Sequence, residues 1–203
     1  MVLRTYSAAG FLSFFFFCLS LQTSGQLKLD TAKIKGRAIT DTIDRIFYST
    51  NDGLLPLAKS KQYIEIRLGR AFTPMGGTDV TVLSFDGKQW NATLTTVDPH
   101  FFDILKKERT TKQYQIFPLK PYEEIFSDLV NTGLFSIPSQ SELKVGRYVD
   151  DGTLYTIAYK VGSKFRGIWF DNPDEYREMF PKIKTFKQYL DLLAIFSKQF
   201  YRN

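Results

Sequence analysis

The sequence predicts an α+β domain, an antiparallel sheet built from hairpins with helices packed on one face. Two β-rich pairs carry the sheet. Val80 to Phe85 and Trp90 to Val97 flank Asp86-Gly87-Lys88-Gln89, and Leu154 to Lys160 and Phe165 to Phe170 meet near Gly162-Ser163. Each pair is followed by apolar residues at helical spacing, first over about Pro121–Asn131 and then from Thr185 onward. Strands joined by such short turns run antiparallel, which leaves the helices to cover one side.

Composition bounds the chemistry. The chain has 203 residues, 43% hydrophobic and 24% charged, which is the balance of a globular protein. One His and one Cys cannot build a tetrahedral Cys/His zinc shell, so neither a metal site nor a cofactor is expected. The division read from the chain is a signal at 1–25, a polar lead-in at 26–42 and a single α+β domain at 43–203.

Residues 1–25 have the form of a secretory signal. Arg4 is their only charge, the apolar stretch Ala8–Leu21 contains Phe14 to Phe17, and Thr23-Ser24-Gly25 supply small residues for cleavage. That stretch is 14 residues, against about 20 for a membrane-spanning helix. Cys18 lies inside the run and not after small residues at its end, so no lipid is expected on it. Cleavage after Gly25 would leave a cysteine-free chain from Gln26 to Asn203, periplasmic or extracellular, with no transmembrane segment. It would keep 26 positive and 21 negative residues, a net charge of +5, which favours an acidic envelope or extracellular partner. Nucleic acid is not expected, because the basic residues are interleaved with acids.

Along the remaining chain, Ile43 to Tyr48 suggests a strand before a turn at Asn51-Asp52-Gly53. Ile64, Ile66 and Leu68 alternate with Glu65 and Arg67, the pattern of a half-buried strand, and Gly69–Thr78 reads as a loop. In the first hairpin a four-residue loop opposes Phe85 to Trp90, and a two-residue loop opposes Leu83 to Trp90; both keep the same apolar set on one face. Asp98-Pro99 suits a short helix start.

Pro121 opens the next helix, Glu123 and Glu124 complement its dipole, and Gly133 suits its stop. Tyr122, Ile125, Phe126, Leu129 and Val130 form its apolar stripe. In the second hairpin, a Gly162-Ser163 loop of the II′ kind opposes Tyr159 to Arg166, Ile157 to Ile168 and Tyr155 to Phe170. Asn172-Pro173-Asp174-Glu175 starts a helix that stops before Pro181. The last helix opens on a Thr185/Gln188 capping-box pattern and buries Phe186, Tyr189, Leu190, Leu193, Phe196 and Phe200.

Gly133-Leu134-Phe135, Ile137-Pro138, Asp151-Gly152, Tyr155, Phe165-Arg166 and Asn172-Pro173, with the aromatic-ended last helix, resemble an uncharacterised family of small exported bacterial proteins. The resemblance covers roughly residues 120–203. Family members often carry a Tyr before the arginine and an acid in the preceding strand, where this chain has Phe165 and Ala158. It implies an exported α+β domain and supplies no activity and no catalytic residue.

The catalytic signals are weak. His100, between Asp98 and Asp103, is the only possible imidazole base, and no Gly-x-Ser-x-Gly elbow accompanies it. Ser141-Glu142-Leu143-Lys144 matches Ser-x-x-Lys without the partner motifs of penicillin-recognising enzymes. The Glu123-Glu124 and Asp150-Asp151 pairs have dipole and turn explanations. Asn91-Ala92-Thr93 is an N-glycosylation triplet, relevant in a eukaryotic host.

The aromatic load is the stronger feature. Trp169 falls on the face of the second hairpin away from the apolar set, with Thr156, Lys160, Phe165 and Gly167, a mixture suited to a partner or a sugar ring. A second packed layer over that face fits the same residues. Arg166 belongs beside Tyr159. The expected function is a non-enzymatic exported binding module, with Trp169, Phe165, Lys160 and Arg166 as candidate binding residues and no catalytic residue assigned. A hydrolase using carboxylates or His100 and a carrier of an apolar ligand are the alternatives.

Overall fold

The computed structural model describes residues 54–73, 77–97, 111–146 and 152–202. The signal, the lead-in, the Ile43–Tyr48 strand, the Asp98-Pro99 helix start and His100 lie outside the described residues.

After a 3₁₀ turn at Leu57–Lys59 come strands β1 (Ile64–Thr73), β2 (Thr78–Phe85), β3 (Trp90–Val97), β4 (Thr111–Gln115) and β5 (Phe117–Pro118). Helix α1 (Tyr122–Asn131), a 3₁₀ segment (Gln140–Leu143), β6 (Gly152–Val161), β7 (Lys164–Asp171), α2 (Pro173–Met179), α3 (Lys184–Lys198) and β8 (Phe200–Tyr201) complete the order. The large sheet is antiparallel with strand order β4-β3-β2-β1-β6-β7, so the α+β class expected from the hairpins is the class observed. A separate two-stranded ribbon pairs β5 with β8.

The hairpin registers follow from turn chemistry. Phe85 opposes Trp90 and Leu83 opposes Ala92, the four-residue alternative. Asp86 Oδ1 accepts from the backbone N–H groups of Lys88 (2.7 Å) and Gln89 (2.8 Å), an Asx turn that fixes the loop. These bonds hold the Asp86 carboxyl below the usual carboxylate range. In the second hairpin Tyr159 opposes Arg166, Ile157 opposes Ile168 and Tyr155 opposes Phe170, as the Gly162-Ser163 loop requires.

Helices α1 and α3 pack on the side of the sheet that carries these apolar residues, and α2 packs on α3 through Tyr176 and Phe186. Phe126 of α1 meets Trp90, Phe135 meets Tyr159 edge-on, and Phe170 lies between Phe186 and Tyr189 of α3. Gly133 takes a φ of +97° at the end of α1, and a Cβ there would collide with the Gln188 side chain of α3. Gln188 Nε2 donates to the Thr132 carbonyl at 2.7 Å, tying the helix end down.

Several expectations are corrected. β1 runs on to Thr73, so the loop expected from Gly69 is strand over its first five residues. Nor is β1 half-buried: Glu65 is 5% exposed and Arg67 2%, because β1 lies between β2 and β6 and its polar face is covered too. The Thr185/Gln188 capping box does not form, since α3 begins at Lys184 with Ile183 at its cap and Gln188 bonds to Thr132 instead. Helix α3 buries Leu192 where Leu190 was expected, and it ends at Lys198, leaving Phe200 to a strand.

Candidate binding surfaces

The two faces of β6 and β7 separate the four candidate binding residues. Arg166 points to the helix side, is 3% exposed and pairs with the Glu142 carboxylate; it also bonds to Tyr159. It is therefore a buried structural cation and does not share a surface with Trp169. Burial raises the Tyr159 hydroxyl above its ordinary range, and the Arg166 charge opposes that shift.

Glu142 is placed by a capping box that the sequence reading did not find. Ser139 caps the 3₁₀ segment, and Glu142 Oε2 accepts from the Ser139 N–H at 2.8 Å. Ser139 Oγ also bonds to the N–H and the carbonyl of Trp169, and Gln140 Oε1 accepts from the Asp171 N–H at 2.8 Å. The segment thereby occupies backbone groups on the outer edge of β7. Ser141 and Lys144 of the Ser-x-x-Lys match are exposed, with Lys144 in a left-handed conformation closing the 3₁₀ turn.

Lys160, Phe165 and Trp169 share the opposite face, which is largely covered. Leu57, Val80, Val82 and Ala158 form a second buried cluster there, with Leu54, Ala71, Leu154 and Phe165 packed against it. The Lys160 ammonium donates to the Ser60 carbonyl, and Ser60 Oγ donates to Glu65, which pairs with Arg67. In the register, Lys160, Glu65 and Ser84 make one row across β6, β1 and β2. This is an internally paired ionic row beneath the 54–60 segment. Trp169 is half-buried, so this face does not present the open aromatic patch that a binding role for it needs.

Among the described residues, the exposed large apolar side chains are Leu55, Tyr63, Phe117, Leu119, Met179 and Tyr201. Three of these six meet on the β5–β8 ribbon: Phe117 is 36% exposed, Tyr201 45% and Leu119 63%. Alternation explains the display. Phe200 turns inward to the Tyr122 ring, which stacks on Trp90, and so Tyr201 turns outward to meet Phe117 at 5.8 Å between ring centres. The Leu119 N–H donates to the Gln199 carbonyl at 2.8 Å, extending the ribbon by one bond. Arg202 lies over the Tyr114 ring of β4 at 3.7 Å, pinning the chain end to the sheet.

Sequence reading missed this corner because Phe200 continues the apolar period of α3 and because Thr111–Gln115 is too polar to announce a strand. A signal was nonetheless present: Ile116-Phe117-Pro118-Leu119 is an apolar run of only four residues between Gln115 and Lys120, interrupted by proline.

The other motifs find structural places. Glu123 and Glu124 are exposed in the first turn of α1. Asn91 is exposed on β3 and accepts from Gln115 Nε2 at 2.8 Å. Asp150 and Asp151 lie outside the described residues. The described residues contain no group of three or more His, Cys, Asp or Glu placed to hold a metal, and no helix among them is long and apolar enough to cross a membrane.

The fold thus defines the class: an α+β domain with helices on one face of a six-stranded antiparallel sheet. Searches against protein-family models, curated proteins and solved structures find no match for the chain.

Proposed function

We propose that this chain is an exported, non-enzymatic interaction domain that works by surface contact through the β5–β8 corner. One observation carries the reading: three large apolar side chains, Phe117, Leu119 and Tyr201, stand exposed together on a ribbon anchored by Phe200 and by the Arg202–Tyr114 stack. Exposed apolar side chains that cluster on a braced element are a partner-binding feature, whereas single ones are ordinary surface. The ionic groups at Glu65–Arg67 and Glu142–Arg166 are paired within the fold and serve its assembly. Export rests on the signal-like residues 1–25, and the resemblance over 120–203 to small exported bacterial proteins supports the same compartment.

The test is a pull-down from the native envelope with the processed chain, its Phe117→Ser/Leu119→Ser variant and its Trp169→Ala variant. The proposal expects partners to be lost with the double variant and kept with Trp169→Ala. Equal recovery by all three forms, together with membrane association that the double variant leaves unchanged, would end the claim for this corner.

A further inference from the structure

Resting on that reading of the ribbon, we infer that its partner is an anionic lipid surface. Three features select this occupant. The apolar groups are carried on the outside of a ribbon of two two-residue strands, an outward display that suits insertion between headgroups. An aromatic pair with a phenol, Phe117 and Tyr201, next to an aliphatic Leu119 is the mixture favoured at a membrane interface, where rings sit at headgroup depth.

The charge carried by the ribbon's own stretches has one sign. Residues 111–120 and 198–202 carry Lys112, Lys120, Lys198 and Arg202 and no acid. Lys120 is engaged with Asp128 of α1 and Arg202 with the Tyr114 ring, and Lys198 is exposed at the end of α3. The next acids along the chain are Glu108 on one side and, on the other, Glu123 and Glu124 in the first turn of α1, where the helix dipole already engages them. Cations close to an anionic leaflet each strengthen association, and apolar side chains then hold the protein at the interface. An export route would bring this corner to the outer faces of such lipids.

The experiment is co-sedimentation of the purified processed chain with vesicles of phosphatidylcholine alone and of phosphatidylcholine mixed with phosphatidylglycerol. The inference expects sedimentation with the mixed vesicles, its loss at raised salt, and little with phosphatidylcholine alone. Lys198→Gln should weaken binding roughly fivefold. Phe117→Ser/Leu119→Ser should weaken it at least about tenfold at unchanged net charge. Because these side chains are exposed, circular dichroism and thermal melting of the variants should match the parent. A Leu119→Trp probe should shift its emission to the blue on the mixed vesicles only.

No sedimentation with the mixed vesicles, or sedimentation unaffected by both Lys198→Gln and Phe117→Ser/Leu119→Ser, overturns the lipid assignment. A protein captured in the pull-down through Phe117 and Leu119, with no vesicle binding, would refute the lipid surface and leave the interaction domain standing. If vesicles and pull-down are both indifferent to the ribbon substitutions, the two proposals fall together.

Discussion

Gly152→Ala probes the junction where the start of β6 meets Asn172, between β7 and α2. Gly152 opens β6 at a φ of +147°, and a Cβ added there would run into the Asn172 side chain. Asn172 is itself committed: its Oδ1 accepts from the Thr153 N–H at 2.6 Å, its own N–H donates to the Thr153 carbonyl at 3.0 Å, and it is left-handed at φ +39°. Alanine at 152 therefore has two costs. The backbone conformation costs an L-residue on the order of 1–3 kcal/mol. Swinging Asn172 aside to relieve the collision forfeits the bond to Thr153, about 1 kcal/mol. The sum is roughly 2–4 kcal/mol, which in a chain of this size lowers Tm by about 4–16 °C.

Urea denaturation of Gly152→Ala, Asn172→Gly and the double variant separates the two costs. Glycine at 172 keeps the left-handed backbone and removes the obstructing side chain. The double variant should therefore be about 1 kcal/mol more stable than the sum of the single losses predicts. Strict additivity, or a Gly152→Ala chain as stable as the parent, would refute the steric argument.

Thr156 and Thr95 are 1% and 2% exposed, and each hydroxyl lacks a hydrogen-bond partner among the described residues. Thr156→Val and Thr95→Val keep the shape and remove the unsatisfied group, so each should stabilise the fold by about 1 kcal/mol in chemical denaturation; a loss of stability would show the hydroxyl is bonded. Tyr159 has its proton held more tightly in the fold than in the unfolded chain, mainly through burial. Its contribution is therefore fully present below the ordinary tyrosine value of 10.0 and is lost as pH rises through the raised folded value. Stability measured from pH 9 upward should fall less steeply in Tyr159→Phe, with Tyr122, raised likewise by burial, keeping part of the slope; an unchanged slope would remove Tyr159 from the account. Mass spectrometry of the natural protein should find Gln26 at the amino terminus, and retention of Met1 or Cys18 would overturn the signal reading.

Local chemistry decided what could be read without a structure. The two hairpin registers depend on residues within about ten positions of each other: Asp86 folding back on Lys88 and Gln89, and Gly162 supplying the positive φ of a tight turn. Helices α1 and α2 start beside prolines, and α1 stops at Gly133, because dihedral limits and end charges act on neighbours alone. The alternation of Ile64 and Ile66 likewise assigned one face of β1 correctly.

Tertiary structure decided the rest. Glu65 and Arg67 read as a solvent face, yet β1 sits between β2 and β6, and the cluster around Leu57 covers that side. On the same face Phe165 packs against that cluster, and Trp169 is half-buried. Phe200 fits the period of α3 equally well, but its strand pairing with Pro118, some eighty residues away, ends the helix and leaves Tyr201 and Phe117 outside. A contact of that span is worth forming only after the sheet and helices have brought its ends together, so no local pattern can announce it. The sequence by itself thus determined the two hairpins, the helices of the described residues and the turns that join them; which faces would be covered, which short strands would pair and which corner would stay exposed was settled by long-range packing.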